Sequence, residues 1–246
     1  MKALFALAPG IRLLLASSSP RRRQFLEEWG LPFVPARPDK AEPHPEPGEE
    51  PRQYAVRAAE AKALAVARQP ACADALVLAA DTVVALEGDI LGKPRDQAHA
   101  LRMLERLSGR SHEVISAVCL VLPQGRTPAP AADAERPKAE AAPPGRLAAD
   151  LAPHMRTASG GRCRLSFSDT SRVFFHPWPG TVLRAYVRTH EPDDKAGAYA
   201  IQGQGAFLVE RVEGSWSTVV GLPVTALARI LLDQGLMLPV HACKTL

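Results

Sequence analysis

One acid stands alone in an apolar run. Residues 75–86 read ALVLAADTVVAL, and Asp81 is the single ionisable side chain among them. A buried, ionised carboxylate is costly unless a cation, a metal ion or several donors satisfy it. Asp81 is therefore the first candidate for chemistry, the alternative being an aspartate that bonds backbone amides at a strand end. A second candidate is residues 17–22, SSSPRR. Ser19 suits the N-cap and Pro20 the first position of a helix. The hydroxyls of Ser17, Ser18 and Ser19, the start of the helix, and Arg21 and Arg22 within one turn outline a cradle for phosphate. The same residues also read as a capped surface helix with a solvated basic face.

Other charges say less by themselves. Lys93 lies in LGKP, where the proline restricts the backbone and can hold the ammonium inward. Lys62 sits on an alanine-rich helix and Glu42 in a proline- and acid-rich loop, and both read alone as solvated charges. Gln202, in AIQGQGA, lies beside glycines that permit close backbone approach. Its amide suits reading a base edge, fixing a phosphate oxygen, or capping its own loop. His99 and His112 have no H-E-x-x-H partner, which argues against a zinc hydrolase. No G-x-S-x-G elbow and no P-loop motif is present. Together these groups suit a phosphorylated ligand with a divalent ion.

Positioning such groups requires a scaffold, and its elements are readable. Residues 13–16 predict a short buried strand and residues 24–29 the body of a helix. An alanine-rich helix is expected over residues 52–68, with Tyr54, Ala58, Ala61 and Leu64 as its apolar stripe. Residues 75–86 lack alternation, as a strand covered on both faces does. A turn at residues 87–89 follows, then a helix capped by Asp96 and a strand from Ser111. Residues 163–175 predict a strand and residues 179–189 a helix, followed by a turn and another strand. Residues 217–235 predict a closing strand, a Gly-Leu-Pro turn and a helix started by Pro223. This order indicates an α/β chain. Residues 123–161 are rich in proline and alanine and poor in large apolar side chains, so they predict a disordered insertion within the domain.

Composition narrows the partners. The 246 residues allow one substantial core. Thirty Lys and Arg against 26 Asp and Glu give a net charge of +4, which suits anionic ligands without implying nucleic acid, and aromatic residues are too sparse for a base-stacking surface. No apolar run is long enough for a membrane span. Residues 1–16 imitate a signal peptide but are interrupted by Pro9, Gly10 and Arg12. The four cysteines are widely spaced without a CxxC pair, consistent with a cytoplasmic protein.

Six blocks, LASSSPRR, AADTVV, LGKPRD, LSGRSHEV, DKAGAYAIQG and VVGLP, stand in the order found in the Maf proteins. The chain resembles that family, nucleoside triphosphate pyrophosphatases once described as septum formation inhibitors, over nearly its whole length as a single catalytic domain (1–246) interrupted by the 123–161 insertion. The last two blocks resemble the branch acting on dTTP and UTP rather than that acting on 7-methyl-GTP. The resemblance implies an α/β fold, a mixed twisted sheet with flanking helices and two lobes around a cleft, like that of the inosine triphosphate pyrophosphatases. It also implies a divalent cation, magnesium or manganese, and suggests a homodimer. Carried over, Asp81 is the proton acceptor and Lys62 and Lys93 neutralise charge. Ser19 and Arg22 hold phosphates, and Glu42 joins Asp81 at the metal. Arg21, Thr82 and Gln202 tune base selection. Three positions depart from the family pattern: Gln24 for Glu, His190 for Gly before Glu191-Pro192, and Arg172 near a usual Asp. The competing reading is a nucleotide-binding regulator of septation that acts through a partner without turnover.

Overall fold

The structure is a computed structural model that describes residues 3–39, 43–128, 154–157 (main chain only) and 161–240. In chain order the elements are β1 Phe5–Leu7, β2 Arg12–Leu15, α1 Pro20–Glu28, β3 Val34–Pro35, α2 Pro51–Ala67, β4 Ala75–Leu86, β5 Asp89–Leu91, α3 Gln97–Leu107, β6 Ser111–Val121, β7 His154–Thr157, β8 Cys163–Phe175, α4 Gly180–Val187, β9 Val209–Glu213, α5 Trp216–Val220, α6 Val224–Asp233 and β10 Met237–Pro239. Eight strands form one mixed sheet in the order β3-β2-β4-β6-β8-β7, with β5 added to β4 and β9 to β8. β2 runs parallel to β3 and β4, and the remaining neighbours are antiparallel. β1 and β10 make a separate ribbon. Most of the expected insertion lies outside the described residues; within it, residues 154–157 pair with β8 as an edge strand. No helix among the described residues is long and apolar enough to cross a membrane.

The alternation of β4 shows how the sheet is covered. Its odd positions Val77, Ala79, Val83 and Ala85 pack with α2 residues Ala55, Ala58, Ala59, Ala63 and Val66, and Asp81 interrupts that face. On the opposite face Leu76, Leu78 and Ala80 pack with Leu26 of α1 and Leu227, Ile230 and Leu231 of α6. Farther along the same face, Val84 and Leu86 pack instead with Leu104 and Leu107 of α3 and Leu183 and Tyr186 of α4. Thr82 falls at the seam between these two apolar clusters. Midway along β4, then, one face carries an acid and the other a hydroxyl at the junction of two helical layers.

Two expectations need correction. The buried face of α2 includes Ala55, Ala59, Ala63 and Val66, whereas Ala61 and Leu64 are only half-buried. In a helix this rich in alanine several phases look equally apolar, and in the phase adopted Lys62 takes its place on the sheet-facing side. Residues 216–220 form the helix α5 rather than a strand. Their β-branched side chains favour extended backbone, but Gly221, at φ 122°, ends the segment after five residues, and the turn buries Ser217 and Thr218.

A buried arginine that sequence reading passed over locks one corner. Arg162 donates from Nε to the Leu122 carbonyl (2.8 Å), from Nη1 to those of Ala67 (2.9 Å) and Cys72 (3.1 Å), and from Nη2 to that of Ala75 (2.6 Å). It thereby fastens the end of α2 to the start of β4, fixing the two elements that carry Lys62 and Asp81.

Candidate active site

β2 is short and β4 is long, which leaves a gap. β2 stays in register with β4 only as far as Leu15 opposite Leu78, and the Ala16 N–H closes the ladder on the Leu78 carbonyl at 2.8 Å. β5 joins the same edge of β4 only at Val84. Between them, residues 79–83 have no strand on that edge among the described residues. The gap opens into a cleft of about 1260 Å³ whose wall includes Ser19, Arg21, Arg22, Lys62, Asp81, Thr82, Lys93 and Gln202. Eight of the nine residues singled out from the sequence thus meet in one place, although they come from five separate stretches of chain. The ninth, Glu42, lies outside the described residues.

Asp81 is 5% exposed, and its Oδ1 accepts from Lys62 Nζ at 2.5 Å. Lys62 reaches it because α2 lies across the β4 face that Asp81 interrupts. The sequence signal was the helical spacing of Ala55, Ala58, Ala59, Lys62 and Val66, read in the right phase. An ionised carboxylate at this depth requires a counter-charge, and Lys62 provides one. Asp81 and Asp194 are the carboxylates of the described cleft wall, and among the described residues no three His, Cys, Asp or Glu side chains stand close enough to hold a metal unaided. One central carboxylate suits a divalent ion that takes one or two carboxylates together with phosphate oxygens.

Arg22 ties the helix start to the sheet. Its Nε donates to the Gly221 carbonyl (2.9 Å), Nη1 to Ser17 Oγ (3.2 Å) and Nη2 to Thr82 Oγ1 (3.0 Å). Arg21 Nε donates to the Val220 carbonyl at 3.2 Å. α5 therefore serves the site by presenting carbonyls to both arginines. Ser19 occupies the N-cap position, but its side chain makes no capping bond; its own N–H goes to Ser17 Oγ at 3.2 Å. Thr82 Oγ1 lies 2.9 Å from Ser116 Oγ, and Ser116 donates to the Thr218 carbonyl at 2.7 Å. With that proton committed, the Thr82 hydroxyl has two acceptors in reach, Ser116 Oγ and the Gly221 carbonyl at 3.4 Å. Ser116 and Thr218 were missed because short hydroxyl side chains in a sequence do not disclose long-range partners.

Gln202 is held by the loop that follows it. The Glu191 carboxylate accepts from the Gln204 N–H (3.0 Å) and the Gly205 N–H (2.7 Å), and Tyr186 Oη accepts from the Ala200 N–H (3.3 Å). Gly203, at φ 78°, passes so close that a Cβ there would clash with Glu191 Oε1. Burial, with Glu191 beside it, pushes the Tyr186 hydroxyl well above the usual tyrosine range. Truncating Glu191 strands two loop amides. Glu191→Ala is expected to lower unfolding free energy by about 1–3 kcal/mol, while Glu191→Gln keeps much of it. Urea unfolding of both variants checks this, and an unchanged midpoint for Glu191→Ala would refute the anchoring role.

The three departures from the family pattern stay out of the cleft. Gln24 Nε2 donates to Glu28 Oε1 at 2.8 Å. Arg172 is registered opposite Glu113 on β6 and Glu213 on β9. His190 has φ 61°, a left-handed backbone that glycine adopts at lower cost, and its Nδ1 lies 2.9 Å from Asp193 Oδ2. His112 is a core residue: its Nε2 is 2.8 Å from Tyr199 Oη, and burial pulls it down to about 4, so it is neutral at pH 7. Lys93 is exposed on the cleft wall beside Gly92, whose carbonyl accepts from the Gly197 N–H at 3.1 Å.

Comparison with known proteins agrees with this architecture. The sequence profile of Maf-like proteins matches residues 12–142 and 148–234. A dTTP/UTP pyrophosphatase of Nitratidesulfovibrio vulgaris is 46% identical over 233 residues, covering 94% of this chain and 92% of the relative. Proteins of the same name from Oleidesulfovibrio alaskensis and Anaeromyxobacter dehalogenans are 44% and 42% identical, covering 92% and 93% of this chain and 87% and 96% of the relatives. With the profile spanning most of the chain and relatives this similar along nearly the full length, the chain belongs to the family of Maf-like proteins.

Proposed function

We propose that this protein hydrolyses dTTP, UTP or a base-modified pyrimidine counterpart to the nucleoside monophosphate and pyrophosphate. The observation that carries the reading is the Asp81–Lys62 pair, buried in a cleft whose rim holds Ser19, Arg21 and Arg22; the names of the relatives support the substrate class. Asp81 accepts the proton of the attacking water. Lys62 and Lys93 meet the charge that grows on the departing pyrophosphate, and Ser19 and Arg22 hold the phosphates in line. Arg22 comes to this task already oriented by three bonds, which lowers the entropic cost of placing the triphosphate. Arg21, Thr82 and Gln202 face the base. Asp81 and Glu42 would hold a divalent ion, which when bound would supply charge neutralisation and Lewis acidity.

The test is a panel of ribo- and deoxyribonucleoside triphosphates with magnesium or manganese, reading monophosphate and pyrophosphate together. dTTP and UTP are expected to exceed the purine triphosphates in kcat/KM by about tenfold or more, a margin that polar groups matched to one base edge can supply. Release of orthophosphate, or tight nucleotide binding without any release of pyrophosphate, contradicts the reading; the second outcome is that of a nucleotide-responsive regulator.

A further inference from the structure

The cleft holds more cationic charge than the proposed triphosphate site uses. Its described wall carries eight Lys and Arg side chains and two aspartates, Asp81 and Asp194, which are ion-paired to Lys62 and Lys195. A row of bases begins two residues beyond Lys93. Arg95 precedes α3, and His99, Arg102 and Arg106 follow on its cleft face. The helical part of the row spans about 10 Å. Glu105, the acid of α3, is not in the cleft wall. Arg106 is engaged by Asp89 at 2.7 Å, while the side chains of Arg95 and Arg102 are exposed and make no hydrogen bond or ion pair among the described residues. The α3 start already has an anion, since Asp96 accepts from the His99 N–H at 2.6 Å, so the cations available here are side chains. The cleft is also larger than most small-ligand pockets, which run to about 1,000 Å³.

We propose that this row extends the phosphate track, so that the cleft also takes polyphosphate esters with more than three phosphates, the distal phosphate lying on Arg95 and Arg102. The proposal rests on the pyrophosphatase reading above. Two ligands share this chemistry: a nucleoside 5′-tetraphosphate and a dinucleoside tetraphosphate. In each, water adds its oxygen to the α-phosphorus, the bond to the bridging oxygen breaks, and Asp81 takes the proton. Uridine tetraphosphate then gives UMP and tripolyphosphate, and diuridine tetraphosphate gives UMP and UTP.

The test measures kcat and KM for UTP, uridine tetraphosphate and diuridine tetraphosphate with wild type, Arg102→Ala and Arg95→Ala/Arg102→Ala at constant ionic strength. Arg102→Ala is expected to raise KM for the tetraphosphates about tenfold, the worth of one charge-assisted contact, and to leave UTP within about twofold. An effect on free uridine tetraphosphate alone identifies a terminal phosphate as the ligand; an effect on both identifies the chain itself. An equal change for UTP and the tetraphosphates, or no change for either, overturns the proposal while leaving the triphosphatase reading intact. Should UTP itself not be turned over, binding of inorganic tripolyphosphate and tetrapolyphosphate decides. Loss of the longer anion's advantage in Arg102→Ala supports the extended track, and its persistence overturns it.

Discussion

Asp81→Asn is expected to bind UTP nearly as well as wild type and to turn it over about 10²–10⁴-fold more slowly, the usual worth of a positioned general base. The substitution keeps size and hydrogen-bonding capacity and removes the charge and the proton-accepting oxygen. It also leaves Lys62, whose side chain is 18% exposed against 7% for Asp81, with partial access to water, so the fold is expected to persist. Binding is expected to survive because, on the proposed reading, Ser19, Arg22 and Lys93 meet the phosphates directly and Glu42 remains to hold the divalent ion. A stopped or quenched time course with saturating nucleotide separates the two effects. Wild-type turnover in Asp81→Asn refutes the assignment of the base, and loss of binding in step with turnover moves Asp81 from chemistry to substrate holding.

The second large effect concerns stability. Lys62→Met removes the ammonium and leaves the Asp81 carboxylate at the same depth. Breaking a buried ion pair from one side costs about 3–5 kcal/mol, which in a chain of this size lowers Tm by about 10 °C. Lys62→Met/Asp81→Asn leaves neither charge buried and is expected to recover a large part of that loss while remaining inactive. Thermal unfolding of the two variants and wild type measures the coupling between the residues. A single variant as stable as wild type contradicts the importance given to the pair. A double variant no better than the single places the loss in packing along α2 instead of charge.

What could be read from sequence divides along a physical line. Asp81 was conspicuous because an acid in an apolar strand is a local anomaly, and the 17–22 stretch because serine, proline and arginine at a helix start act within one turn. The order and type of most elements followed from period and punctuation, as with Asp96, which caps α3 where expected. Properties set by distant pairing were not readable. The gap on β4 exists only because β2 stops at Leu15 and β5 reaches no farther than Leu91, opposite Val84, a comparison of strand lengths across the sheet. Lys62 read alone as a solvated lysine because an alanine-rich helix hides its phase. α5 read as a strand because its β-branched residues favour extended backbone, and the contacts that hold its turn, such as the Ser116 hydroxyl on the Thr218 carbonyl, are long-range. The carbonyl partners of Arg21 and Arg22 lie 199 residues away along the chain. Ser116, Glu191 and Arg162 take their meaning from contacts of the same long-range kind.

Phosphorus NMR of UTP incubated with the protein and magnesium tests the central claim most directly, when wild type and Asp81→Asn are followed under identical conditions. The account predicts UMP and pyrophosphate in equal amounts from wild type, with neither product accumulating at a comparable rate from the variant. UDP with orthophosphate, or the same progress curve from both proteins, would contradict it.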